Sequence, residues 1–246
     1  MQRRQFLNTA TGAAVALGSL GLVSYASAGE NVSLRGPIMD GDPLTPPARG
    51  KIRVAFAIAP GATVIDFAGP WEVFQDVHVR DRGSTMNEMM PFRLYTVAAT
   101  SEPIRASGGL HIIPDYTVDN APTPHLVVVP ALRGNAALHE WLRLVAPETD
   151  VTMSVCTGAF QLAEAGILNG LAATTHHDFY DSFADKYPEV TLVRDVRFVE
   201  NARISTAAGL TSGIDLALRI VTRYFGVEVA EQTALYMEYS GTGWQV

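Results

Sequence analysis

V-T-M-S-V-C-T-G-A-F-Q-L-A-E-A-G-I-L-N-G, from Val151 to Gly170, is the stretch whose reading decides the fold. Its first five residues are apolar or β-branched in alternation and predict a buried strand. From Thr157 onward, Ala159, Phe160, Leu162, Ala163 and Ile167 recur at helical spacing. Cys156, the only cysteine of the chain, stands at the joint, with Ser154 and Gly158 two positions away on either side. That is the spacing of a nucleophile elbow, a sharp strand-to-helix turn with no room for bulk near its reactive residue. Backbone N–H groups and the positive end of the helix dipole would then favour thiolate over thiol. The alternative is an inert core residue, the commonest fate of a free cysteine.

Upstream, I-R-V-A-F-A-I-A (52–59) is a nearly continuous apolar strand, ended by Pro60-Gly61. A helix is predicted around 66–77, with Phe67, Trp71, Val73, Phe74 and Val77 as its apolar stripe. Residues 80–91, polar and methionine-rich, read as a loop. Strands follow at 92–98, around 104–114 with a break at Gly108-Gly109, and at 125–130; 135–146 is an amphipathic helix.

Downstream, a short strand is expected at 172–175, a helix at 178–187 and a hairpin of 190–194 with 197–200. The last core strand is 203–208, followed by helices at 212–225 and 229–239. Apolar strands alternating with helices predict an α/β fold, a mostly parallel sheet covered on both faces. Right-handed crossovers bring the strand C-termini to one edge, where Cys156 and Asp66 both fall.

The chain of 246 residues, 48% hydrophobic and 17% charged, suits one large core. A formal charge of −7 without any basic run argues against nucleic acid as a partner. Arg3-Arg4-Gln5-Phe6-Leu7 followed by a weakly apolar run and Ala26-Ser27-Ala28 reads as a twin-arginine signal peptide, 1–28, cleaved after Ala28. The run is too broken for a lasting membrane anchor. Periplasmic export of a folded protein is the expectation. Residues 29–50, with Pro37, Pro43, Pro46 and Pro47, read as an extended leader, surface-bound or mobile, and 51–246 as the domain. A lone cysteine in an oxidising compartment staples nothing and is best recessed in a pocket.

V-I-D-F-A-G-P-W-E-V-F, V-V-V-P, S-V-C-T-G-A-F-Q-L-A-E-A-G-I-L-N-G, A-T-T-H and T-A-A-G-L-T-S-G-I-D-L-A-L together resemble the ThiJ/PfpI superfamily of glutamine-amidotransferase-like domains, over about Lys51 to Tyr239. The resemblance implies a flavodoxin-like three-layer sandwich and commonly a homodimer. Within the superfamily the chain looks most like the isonitrile hydratase branch and the sensor domains of certain transcription regulators. It implies Cys156 as nucleophile, with Thr157 and the Asp66 of D-x-x-G-P as its catalytic partners, and His176 as a histidine near the nucleophile. A charged Asp66 would repel a thiolate, and a protonated one could hold the sulfur; either way it can serve as acid or base. The alternative role for Asp66 is a helix N-cap.

Departures from the superfamily pattern narrow the chemistry. Thr157 stands where protease-like members carry histidine, and no His-x-Glu follows Cys156, so peptidase and glutaminase activities are disfavoured. Pro130-Ala131-Leu132 replaces the usual Pro-Gly-Gly and lacks glycine's freedom to take positive φ, so either the peptide geometry suits Leu132 as an oxyanion-hole donor or the anion pocket differs; the remaining donor is the Thr157 N–H. The expected function is hydration of a small electrophile, an isonitrile, without metal or cofactor; the six histidines show no recognised ligand motif. Two alternatives share the thiol: a ligand-binding or redox-responsive protein, and detoxification of glyoxal-type aldehydes. Regulators carry a helix-turn-helix module after this domain; the sequence ends at Val246, and export would remove it from DNA, so direct transcriptional control is not expected.

Overall fold

Side chains of a strand alternate between faces, so a strand covered on both sides feeds two cores at once. Strand β1 (Ile52–Ala57) does this: Val54 and Phe56 enter one apolar cluster, Ala55 and Ala57 the other. Residues 41–245 are described by the structure, a computed structural model; the predicted signal peptide lies outside them. After β1 come helix α1 (Val64–Gln75), a short helix α2 (Met86–Met89) and strand β2 (Phe92–Ala98). Strands β3 (Ile104–Arg105), β4 (His111–Ile112), β5 (Tyr116–Thr117) and β6 (Leu126–Val129) precede helix α3 (Ala136–Val145). Strand β7 (Val151–Val155) leads into helix α4 (Gly158–Glu164), then strand β8 (Ala172–Ala173), helix α5 (Tyr180–Lys186) and strand β9 (Thr191–Leu192). Strands β10 (Phe198–Asn201) and β11 (Ile204–Ala207) and helices α6 (Ser212–Phe225) and α7 (Val227–Tyr236) complete the chain.

Seven strands form one sheet in the order β10-β11-β7-β6-β1-β2-β5, parallel throughout except for β10 against β11. Helices α1, α6 and α7 cover one face, with Phe74, Leu216, Ile220 and Ala230 in its core. Helices α3, α4 and α5 cover the other, with Leu138, Leu142, Leu162 and Phe183. The result is the expected three-layer sandwich. Fully buried side chains such as Phe56, Phe74 and Phe183 contribute roughly 1.5–3 kcal/mol each by leaving water. From β1 the chain steps outward to β2 on one side and later to β6 on the other. The carboxyl ends beside this switch point form the crevice that open α/β sheets use for ligands.

Three local expectations need correction. The hairpin pairs β10 with β11, not 190–194 with 197–200, because β9 joins β8 in a separate parallel ladder. Asn201 faces Ile204, so Ala202-Arg203 is a two-residue turn, and Ala202 takes φ +44 without the glycine or asparagine such turns favour. Residues 80–91 are not all loop. Thr85 and Glu88 form a capping box that nucleates α2, with the Thr85 hydroxyl accepting from the Glu88 N–H. The broken strand at 104–114 is a small β3–β4 hairpin, turned by Gly108 and Gly109 at φ +65 and +85.

The leader residues 41–50 have no regular structure, yet their start is bonded to the body. The Leu44 N–H donates to the Arg223 carbonyl (2.8 Å), and Arg223 Nε donates to the Asp42 carbonyl (2.9 Å). Arg223 and Arg219 hold the fully buried Glu200 between them, at 3.2 and 2.9 Å. Among the described residues no helix is long and apolar enough to cross a membrane.

Candidate active site

The elbow forms as the sequence predicts, with Thr157 at the N-cap between β7 and α4. Cys156 takes φ +59, a left-handed conformation that costs a non-glycine residue roughly 1–2 kcal/mol. Its surroundings enforce that geometry. The Cys156 N–H donates to the carbonyls of Ala208 (2.8 Å) and Ala207 (3.2 Å), and its own carbonyl accepts from the Thr175 hydroxyl (2.9 Å). Gly158 is obligatory: a Cβ there would lie 2.1 Å from the Val129 carbonyl oxygen and 2.9 Å from that of Pro130. The elbow therefore packs directly on the end of β6.

Asp66 comes to the same place from the first turn of α1. It is fully buried, and Oδ2 accepts from the Ala131 N–H at 3.1 Å. Oδ1 has no hydrogen-bond partner among the described residues, and the Cys156 thiol lies near enough for thiol and carboxyl to influence each other's ionisation. The N-cap position belongs to Thr63, so the capping role considered for Asp66 does not apply. Burial pushes the Asp66 carboxyl up to about 6, against the lowering influence of the Ala131 N–H and the thiol.

The same burial acts on the sulfur, and here the sequence expectation is reversed. The Cys156 thiol is pushed up to about 11, first by desolvation and then by the Asp66 charge. The N–H groups of Thr157 and Leu210 and the Thr157 hydroxyl favour thiolate but do not prevail. Cys156 is only 7% exposed, and α4 is just seven residues long. At neutral pH the resting pair is a thiol beside a largely ionised carboxylate, so Asp66 is placed to take the proton as sulfur reacts.

The structure brings Cys156, Asp66 and Thr157 together, lines the adjoining cavity with Leu132, and packs His176 against Gly209, next to the Ala208 carbonyl that holds the elbow. Neither Ala131 nor Leu132 takes positive φ, so the loss of Pro-Gly-Gly costs no strain. The donor that this turn directs into the site is the Ala131 N–H, toward Asp66, while the Leu132 carbonyl accepts from Gln161 Nε2 at 3.3 Å. The second N–H on the sulfur comes from Leu210, itself at φ +51. His176 caps a short 3-10 turn, its Nδ1 accepting from the Asp178 N–H at 3.2 Å. Its neighbour Thr175 is the residue that reaches the elbow. A cavity of about 380 Å³, lined among others by Leu132, Thr157, Phe160 and Gln161, adjoins the elbow. Thr175 and Leu210 were legible only as parts of the A-T-T-H and A-A-G-L-T runs, whose small residues mark close backbone approach.

Residues 52–223, which carry all of these groups, match the DJ-1/PfpI family. The chain belongs to that family. Among its relatives, isonitrile hydratase from Pseudomonas putida is 28% identical over 195 residues, covering 77% of this chain and 79% of that protein. The HTH-type transcriptional regulator CdhR from Pseudomonas aeruginosa is 30% identical over 148 residues, 58% of this chain but only 44% of that one. A solved ThiJ/PfpI family protein from Pseudomonas syringae superposes with a TM-score of 0.68 at 26% identity, covering 78% of this chain and 76% of its own. Family membership fixes the fold and leaves relatives of several kinds, an enzyme, regulators and DJ-1 proteins among them, for the site chemistry to choose between.

Proposed function

We propose that this DJ-1/PfpI protein is a cysteine-dependent hydratase of the isonitrile hydratase type, working in the periplasm after twin-arginine export. The observation that carries the reading is the buried Asp66 carboxyl, anchored by the Ala131 N–H, beside a thiol on a strained left-handed elbow. Ionised Asp66 removes the thiol proton as Sγ attacks the terminal carbon of R–N≡C, and returns that proton to the same carbon, giving a thioimidate. Water then adds to the C=N bond, its protons passing to nitrogen and to the carboxylate. Collapse of the adduct releases R–NH–CHO, and Asp66 returns a proton to sulfur. One isonitrile and one water give one N-formamide, and no cofactor enters the balance. Thr157 and Leu210 N–H groups steady the sulfur while it is anionic.

A thiol held mainly protonated at neutral pH is a poor spontaneous target for peroxide, which weighs against a redox-sensing role. The test is formamide release from a panel of small isonitriles, with α-oxoaldehydes run beside it. Turnover by the native chain, lost in Cys156→Ala and in Asp66→Asn with folding intact, is the expected result. Full activity in Cys156→Ala, or turnover of the aldehydes alone, would overturn the proposal.

A further inference from the structure

We infer that His176, His177 and Asp178 form a binding site for a divalent transition-metal ion of the zinc or copper class. Their ligand atoms all lie within 4.8 Å of one another. His176 Nδ1 stands 3.7 Å from Asp178 Oδ2, and His177 Nδ1 stands 3.1 Å from Asp178 Oδ1. Donor atoms at about 2.0–2.1 Å from a tetrahedral ion are separated by roughly 3.3–3.4 Å; the two spacings, one to each carboxylate oxygen, lie near that value, and rotation of the exposed His177 and Asp178 side chains closes the rest. Two imidazoles and one carboxylate suit zinc or copper and not the all-oxygen shells of calcium or magnesium.

The rings are prepared for this. They stack nearly parallel, with centroids 4.5 Å apart and planes at 24°, so both Nδ1 atoms face the same carboxylate. His176 Nδ1 accepts the Asp178 N–H, which puts the ring proton on Nε2 and leaves at Nδ1 the lone pair that a metal needs. An ion at that lone pair displaces this one hydrogen bond to solvent. His177 and Asp178 are 72% and 67% exposed, leaving room for water to complete the coordination shell. Adjacent histidines cannot face one way on a helix or a strand. Here His176 is extended (φ −61, ψ 136) and His177 begins a 3-10 turn, and that change of conformation lets the pair stack. Spacing motifs do not capture it.

The site does not depend on the hydratase reading, but it is tied to the elbow. Thr175, one residue before it, holds the Cys156 carbonyl, and His176 is wedged against Gly209, where a Cβ would lie 2.5 Å from Cδ2. An ion here would pin the two loops that shape the elbow.

The experiment is calorimetric titration of Zn²⁺ into the full chain carrying Cys156→Ser, so that the thiol cannot compete. Saturable binding of one ion is expected, weakened about tenfold or more by His177→Ala and by Asp178→Asn, both on exposed side chains. Cu²⁺ electron paramagnetic resonance of the same protein should show coupling to two imidazole nitrogens, reduced to one in His177→Ala. Absence of saturable binding, or binding undiminished in both variants, would overturn the site.

Discussion

Replacing Asp66 by asparagine should make this protein more stable at neutral pH while abolishing the proposed hydration. The carboxyl is held near 6 in the folded protein, against 3.8 for the free side chain, because burial disfavours its charge. Between those values the folded state retains a proton that the unfolded chain has lost, so native stability falls as pH rises from about 4 to about 6 and is flat, for this group, above that. A shift of about two units corresponds to a loss on the order of 3 kcal/mol, at about 1.4 kcal/mol per unit. Asparagine keeps the shape, keeps an oxygen for the Ala131 N–H, and has no charge to desolvate. Its added N–H group can face the Cys156 sulfur. Urea unfolding of both proteins at pH 4 and pH 7.5 isolates the effect, since the other acids cancel in the difference. The variant should gain on the order of 3 kcal/mol over the native chain at pH 7.5, and the two should converge at pH 4. A gap independent of pH, or a variant less stable at pH 7.5, would refute the claim that burial strains the charged form.

The same variant should bring the Cys156 titration down from about 11, read as the midpoint of its alkylation rate against pH, because the Asp66 charge is the second cause of the upward shift; an unchanged midpoint would remove that charge from the account. Gly158→Ala should cost at least the roughly 1–3 kcal/mol of an overpacked core, seen as a lowered urea midpoint, because the new Cβ meets immobile backbone oxygens. Leu210→Gly should stay within about 1 kcal/mol of the native chain, whereas Leu210→Pro, which cannot take φ +51 and lacks the N–H, should lose stability and push the thiol titration further up. Glu200→Gln should cost about 3–5 kcal/mol in urea unfolding, since Arg219 and Arg223 are left buried without their anion.

Much of this was legible because the chain repeats its message at several levels. The V-T-M-S-V-C-T-G run states the strand, the turn and the need for glycine at 158 together, and α6 occupies Ser212–Phe225 just as its apolar spacing predicts. What could not be read were balances between opposing forces. Backbone N–H groups do favour the thiolate, but how far burial and Asp66 outweigh them depends on packing from α1 and the end of β6, distant in sequence. The β10–β11 turn escaped because Ala202 carries a positive φ that nothing in its residue type announces. Leu210 escaped for the same reason. Backbone donors are invisible in a sequence until the chain direction around them is known.

Gly41 to Leu44 behave as a stopper over a charged interior. Gly41 runs so close to Glu200 that a Cβ there would sit 2.7 Å from the carboxylate oxygen, and the Asp42 carbonyl accepts from Arg223 Nε. Trimming the protein to Lys51, where apolar periodicity begins, would uncork that cluster and let water in beside it. The folded body therefore reaches upstream of Lys51 at least as far as Gly41, through a stretch whose prolines disguise it as mere tether.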